Sequence, residues 1–351
     1  MNYQRAYENK VGSAILSIKK TVAGSKIDCR LTYKVGSLGI DDSGSLKVLF
    51  RIVSDCADPQ FEDSRFDNFV KLSSTNRSVQ ISVSAKSSGM FGKVHERPWS
   101  KGFVLNFSGN SLSEGDEVYI DFKNWRVQTF CEKTFEFKIL VDPFATAQFL
   151  ELPHSPEMEI VPDKPERIVI LAPSIVKKGK KFNFLIKLED IWENPCTNLS
   201  GRFELERNQF SQIPKSVEFK KGIAEVSTTS KKESVIYITA KYESLTGASN
   251  PIKVTQNPPY LHFWGDLHGQ SEETVGTNDI DEYFNFAKEY AFLDVAGHQA
   301  NDFQVTNMFW KKINETTKKF TQDGEFVALP GYEWSGNTPA GGDRNVLYLK
   351  E

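Results

Sequence analysis

Lys26-Ile27-Asp28-Cys29-Arg30-Leu31-Thr32-Tyr33-Lys34-Val35 alternates apolar and polar side chains almost without a break. A period of two sends one set of side chains to a core and the other to water, which is the signature of a half-buried strand. The same period recurs at Leu46, Val48, Phe50 and Ile52, and at Val79, Ile81, Val83 and Ala85. It returns at Val118, Ile120 and Phe122, and at Phe135, Phe137, Ile139 and Val141. Turn formers fill the gaps, as in Asp41-Asp42-Ser43-Gly44 and Ser113-Glu114-Gly115-Asp116. Residues 1–150 therefore predict an antiparallel β-sandwich, and nothing there shows a helical period.

Working outward, residues 151–167 carry Pro153, Pro156, Pro162 and Pro165 among polar residues and predict a linker. Residues 168–256 then read as a second, immunoglobulin-like sandwich, with short strands marked by Phe182, Phe184, Ile186 and Leu188, by Phe203 and Leu205, and by Val235, Tyr237 and Thr239. Lys177, Lys178, Lys180 and Lys181 around Gly179 predict a solvated hairpin tip. His95 and His154 are isolated and read as structural or surface histidines.

Composition limits the function classes. The 351 residues hold 43 Lys+Arg against 46 Asp+Glu, a net charge of −3, which excludes nucleic-acid binding through bulk positive charge. Apolar residues make up 39%, enough for several cores and too many for a disordered chain. No apolar run is long enough to span a membrane as a helix. The amino terminus shows no leader-like apolar segment, and Cys29, Cys56, Cys131 and Cys196 are too scattered for a disulfide framework or a zinc knuckle. A reducing, cytoplasmic setting is the expectation.

The pattern changes after Asn257-Pro258-Pro259. An apolar run at residues 260–265 reads as a strand, with His262 inside it as a structural residue. Ile280, Tyr283, Phe284, Ala287 and Ala291 follow as a helix face capped by Thr277 or Asn278. Residues 292–296 and 326–329 read as further strands, and 345–349 as a fourth, with a helix bearing Phe309, Ile313, Thr317 and Phe320 between the second and third. Alternating strands and helices imply parallel strands with right-handed crossovers, whose carboxyl ends share one rim. His268, His298 and Glu333 follow three successive strands at intervals of about 30 and 35 residues, close to one βαβ unit each. They are expected to converge. Two imidazoles and a carboxylate are a donor set suited to a divalent transition metal, which would acidify a bound water. The loop Gly336-Asn337-Thr338-Pro339-Ala340-Gly341-Gly342 reads as a plain Gly/Pro connection ahead of a phosphate cradle.

The strings FWGDLHGQS (263–271), LDVAGHQANDF (293–303) and FVALPGYEWSGNTPAGGDRNV (326–346) resemble the PHP superfamily of polymerase-and-histidinol-phosphatase-type phosphoesterases. They are most similar to a bacterial domain-of-unknown-function family in which β-sandwich regions precede the PHP-like part. The resemblance covers only the last quarter of the chain. It implies that residues 257–351 are the first half of an α/β distorted barrel and that further ligands lie beyond them. It places His268 on the first member of a His-x-His pair, Gln270 where the second would stand, His298 at the end of the second motif and Glu333 on the ligating glutamate. Arg344 falls near a position often held by another histidine. Gln270 and Arg344 depart from the pattern.

The expected fold is thus multidomain: two all-β sandwiches followed by an incomplete PHP-like α/β barrel. The first functional expectation is a metal-dependent hydrolase, of phosphoesterase type, acting on a small phosphorylated molecule through a metal-activated water. His268, His298, Glu333 and Asp266 would hold Zn, Mn or Fe, Gln270 would orient them, and Asp302 and Arg344 would serve catalysis. The alternative is a non-catalytic binding or scaffold protein, with protein or glycan partners on its sandwiches and a degenerate PHP-like segment. An amidohydrolase-like enzyme is a third expectation.

Overall fold

The computed structural model describes residues 10–87, 98–206, 213–336 and 341–349. The chain divides into two compact units, Met1–Val161 and Pro162–Glu351. Among the described residues no helix is long and apolar enough to cross a membrane. His95 and four residues of the Gly336–Gly342 loop (337–340) lie outside the described residues.

In the first unit, a four-stranded sheet runs in the order Gly12–Leu16, Lys26–Val35, Glu117–Arg126, Phe69–Ser74. A five-stranded sheet runs Leu150–Glu151, Lys138–Asp142, Ser45–Arg51, Trp99–Ser108, Gln80–Ser87. Within Lys26–Val35 the odd residues Cys29, Leu31, Tyr33 and Val35 are buried, as the alternation requires. On the other face Arg30 forms a two-pronged hydrogen bond to Asp121, its cross-strand neighbour. The core joins both sheets and centres on Phe50, Phe122, Trp125 and Phe137, all 1% exposed or less.

Three details depart from the sequence reading. Trp99–Ser108 is a strand buried on both faces, because Leu49, Trp99, Val104 and Leu140 build a second small core behind it. The run from Phe135 to Val141 is two strands, Glu132–Glu136 and Lys138–Asp142, belonging to different sheets. The expected linker is partly sheet: Glu157–Val161 pairs parallel to Lys20–Val22 and sends Met158 and Ile160 into the first core.

The second unit begins with another sandwich. Its seven-stranded sheet runs Arg167–Leu171, Lys181–Glu189, Ile223–Thr229, Ser216–Lys220, Ser200–Leu205, Thr239–Tyr242, Leu245–Ala248. Ile175–Lys177, Ile252–Thr255 and Ser234–Ile236 form the facing sheet. Phe184, Ile186, Leu188, Phe203, Phe219, Ile236 and Ile252 fill the space between. The large sheet curls until its two edges meet at Gly247, where a Cβ would stand 2.4 Å from the Ile168 carbonyl oxygen. The lysine cluster lies on a turn between the two sheets, since Ile175–Lys177 and Lys181–Glu189 are not paired with each other; the hairpin reading is corrected accordingly.

The α/β segment has a core of its own, built from Ile280, Phe284, Ala287, Ala296, Phe309, Ile313 and Phe326. Gly265–Gly269, Val295–His298 and Val327–Leu329 form a parallel three-stranded sheet in that order. The crossovers are a helix, Ile280–Asn285, that widens into a π-helical turn, and the helix Asn307–Phe320. Asp279, not Thr277 or Asn278, caps the first by accepting from the Glu282 amide. Two strand readings shift. Tyr260, Leu261, His262, Phe263 and Trp264 precede the first strand and are exposed. The expected fourth parallel strand is Asp343–Leu347, which instead runs antiparallel to Gly331–Ser335 in a separate small sheet with Ala300–Asn301. The chain as a whole is dominated by strands.

Candidate functional site

At the carboxyl end of the first parallel strand the ladder slips between Asp266 and Gly269. The Asp266 carboxylate accepts from the His268 amide at 2.9 Å, folding the backbone and swinging His268 out of the sheet. The His268 ring turns to the small neighbouring sheet. Its Nδ1 lies 2.7 Å from Asn345 Oδ1, and its Nε2 3.5 Å from Glu333 Oε1. Asn345 spends its own Nδ2 on the Leu267 carbonyl, so Oδ1 accepts and His268 Nδ1 carries a hydrogen. The Nε2 lone pair of a neutral ring would then face a carboxylate.

Glu333 is 7% exposed on the strand Gly331–Ser335. Asn301 stands beside it in register and donates to Oε2 at 2.6 Å, and Gln270 donates to the same oxygen at 3.0 Å. Thr274 holds the Gln270 amide from behind at 2.7 Å. The carboxylate is therefore held by two side-chain amides, with the His268 ring beside its other oxygen. Sequence reasoning found His268, Glu333 and Gln270 and missed Asn301, Thr274 and Asn345. The chain places those three beside strand ends, but lone amides and hydroxyls carry no motif that would single them out.

His298 does not join this cluster, which corrects the expected convergence. It is 0% exposed, and its ring sits edge-on to Tyr283 and Phe309 at 5.7 Å each, in the layer between sheet and helices. Its Nε2 lies 2.8 Å from Ser271 Oγ; Ser271 donates to Glu273, and Glu273 accepts from Lys312 Nζ at 2.6 Å. Since the Ser271 hydrogen goes to Glu273, Ser271 accepts from His298 Nε2–H. Nδ1 is then a bare nitrogen, and it has no partner. Burial pushes the ring pKa down to about 4, so His298 is neutral at physiological pH. One signal for this was present: Ala296, two residues earlier on the same strand, already faces the helices, and period two carries His298 to the same side.

Asp266 is occupied with its own turn. Asp302 accepts from the Phe303 amide at 2.8 Å and lines a groove with Trp334. Arg344 pairs in register with Trp334 and lies 5.7 Å over its ring, on the strand face opposite Glu333. Neither Asp302 nor Arg344 hydrogen-bonds the Glu333 carboxylate as a catalytic partner would. A catalytic divalent transition ion takes three protein ligands and an open position. Here His268 and Glu333 offer one nitrogen and one oxygen, and among the described residues no group of three or more His, Cys, Asp or Glu gathers. Among the described residues, this chain by itself supplies two of the ligands such an ion takes.

No family model matches the chain. Uncharacterised proteins of Chlamydia pneumoniae and Chlamydia muridarum are 24% and 26% identical over 243 and 244 residues, covering 64% of this chain and 37% of each relative. The chain thus spans under two fifths of the length of the curated relatives it matches. Among solved structures, it is similar to the D0-D1 domain of intimin at TM-score 0.22 and 10% identity, covering 70% of this chain and 99% of that one. The Escherichia coli adhesin FdeC matches at TM-score 0.30 and 11% identity, over 70% of this chain and 63% of that one.

Proposed function

We propose that this chain is a non-catalytic binding or scaffold protein that works through its β-sandwiches and engages a protein or glycan partner. The observation that supports this reading is the separation of His298 from Glu333. One imidazole of the expected metal triad is sealed against Ser271, and the carboxylate is held by Gln270 and Asn301. Each sandwich, by contrast, has a closed core and an extensive outer surface. Elemental analysis and hydrolysis of bis(p-nitrophenyl) phosphate with added Zn, Mn or Fe(II) test it together. The expected result is substoichiometric metal and no turnover. Metal-dependent turnover that disappears in Glu333→Gln would end the proposal.

A second reading, the PHP-like hydrolase, draws on one contact. His268 aims Nε2 at Glu333 Oε1 near the carboxyl end of the first parallel strand, where such enzymes gather ligands. In that reading the remaining ligands come from a longer protein of the relatives' length. It expects about one transition ion per chain in that longer form, lost when His268 is replaced.

A further inference from the structure

The strand Gly331–Ser335 has two faces, and the Glu333 cluster uses only one. On the other, Tyr332 and Trp334 look into an open groove of about 850 Å³ beneath the helix Asn307–Phe320. Trp310 descends from the helix, and Tyr348 follows the last strand. The rings touch: Trp310 and Tyr348 are 5.6 Å apart, Trp310 and Tyr332 6.1 Å, and Tyr332 and Tyr348 6.2 Å. Trp310 meets both tyrosines edge to face, at interplanar angles of 74° and 68°. A caged ammonium needs several free ring faces around one point. Here the three rings pack against one another instead of surrounding one point, so the aromatic surface is a continuous wall. Trp334 extends it and is 41% exposed.

The polar lining is as informative. Asn314 is 8% exposed, donates Nδ2 to the Trp310 carbonyl at 3.0 Å and has its Oδ1 shut off from solvent, so it offers the groove no free polar atom. Asp302 brings a carboxylate and Arg344, over the Trp334 ring, a guanidinium, while Lys311 and Glu315 sit 3.7 Å apart and offset each other's charge. An aromatic wall beside a carboxylate, with the charges around it balanced, suits a neutral ligand. Such a ligand would have apolar C–H faces to stack and hydroxyls to donate. Pyranose rings have both, and the groove holds a short oligosaccharide. We infer that this groove is a binding site for a neutral oligosaccharide, stacked on Trp334 and Tyr348 and hydrogen-bonded by Asp302. The inference stands apart from the scaffold reading, because none of these residues belongs to either sandwich.

The test is tryptophan fluorescence and calorimetric titration of the whole chain with maltotriose, cellotriose and triacetylchitotriose. Saturable binding of at least one is expected, weakened about tenfold or more in Trp334→Ala and in Tyr348→Ala. Both side chains are exposed enough for the fold to survive, which circular dichroism verifies. Tyr237→Ala, which removes an exposed ring from the second sandwich, should leave the affinity unchanged. Absence of binding by all three sugars at about 10 mM, a free-energy floor of only a few kcal/mol, overturns the inference. So does loss of binding in Tyr237→Ala with retention in Trp334→Ala, which would move the site to the sandwich. Saturable uptake of tetramethylammonium in place of the sugars overturns it as well.

Discussion

Ser271 Oγ lies 2.8 Å from His298 Nε2, and both residues are fully shut off from solvent. This pair decides how the carboxyl end of the parallel sheet is used. A histidine committed to a buried hydroxyl is a structural element that locks the loop after the first strand onto the second. Glu273 and Lys312 extend the lock to the long helix. The rim that would otherwise gather two imidazoles keeps only His268 beside Glu333.

The lock makes the segment acid-sensitive. His298 has a folded pKa of about 4 against an ordinary value of 6.5, because burial penalises the imidazolium. A depressed histidine stabilises the fold fully above its unfolded pKa, and that stability drains as pH falls through 6.5 toward 4. Between pH 7.5 and 5 the loss should be roughly 2 kcal/mol. Hydrogen exchange at the amides of Val295–His298 reads it locally. His298→Gln should flatten the profile.

Lys312 controls Glu273 in the same network. Burial raises the Glu273 carboxyl pKa, but hydrogen bonds from Lys312 and Ser271 outweigh it and hold it below the usual range. With Lys312 in place, Glu273 stabilises the fold above its unfolded pKa, and this is lost as pH falls through the lowered value. Lys312→Met removes two of the causes that lower the Glu273 pKa and leaves burial opposed by fewer of them, so the gain in stability with rising pH should shrink. The ion pair is partly exposed, and the expected cost at neutral pH is about 1 kcal/mol. Urea titrations of both proteins at pH 4 and 7 show whether the difference between the two pH values shrinks in the variant.

In the first unit the sharpest constraint is Gly102. It occupies a central strand at φ +133°, and a Cβ there would stand 2.1 Å from the Val48 carbonyl oxygen. The clash is with backbone, which cannot rotate away. Gly102→Ala should cost about 3 kcal/mol or more and lower the soluble yield of the chain. Wild-type stability in this variant would mean that the two strands are not paired in this register.

Much of this was readable where a strand has one wet face and one dry face. Lys26–Val35 is such a strand, and its alternation survives intact in the burial pattern. Trp99–Ser108 was not readable because both of its faces are covered, which erases the period. It also hides Lys101, whose ammonium is buried against the Ser54 and Cys56 carbonyls and disguises the run as polar. The run at residues 260–264 misled in the opposite sense, being apolar and exposed. For the site, strand-end logic expected His268 to approach Glu333, and the two side chains lie 3.5 Å apart. It failed for His298, because a strand's last residue can turn into the helix layer as readily as to the rim. Side-chain direction, set by period two from Ala296, was the deciding variable.

The Ser271–His298 bond itself can be weighed by a double-mutant cycle. Ser271→Ala removes the acceptor of a buried N–H and one donor to Glu273, and 0% exposure at Ser271 and His298 leaves no route for water to replace them. The single variant should lose about 1–3 kcal/mol. His298→Phe removes the N–H and keeps a ring between Tyr283 and Phe309, so it abolishes the need for that acceptor. In the His298→Phe background, Ser271→Ala should therefore cost less, because only the Glu273 contact remains to be lost. Coupling of about 1 kcal/mol between the two sites is the expected outcome of denaturant titrations on all four proteins. Additivity to within about 0.3 kcal/mol would show that no hydrogen bond joins them, and the argument that His298 is withheld from the Glu333 rim would lose its basis.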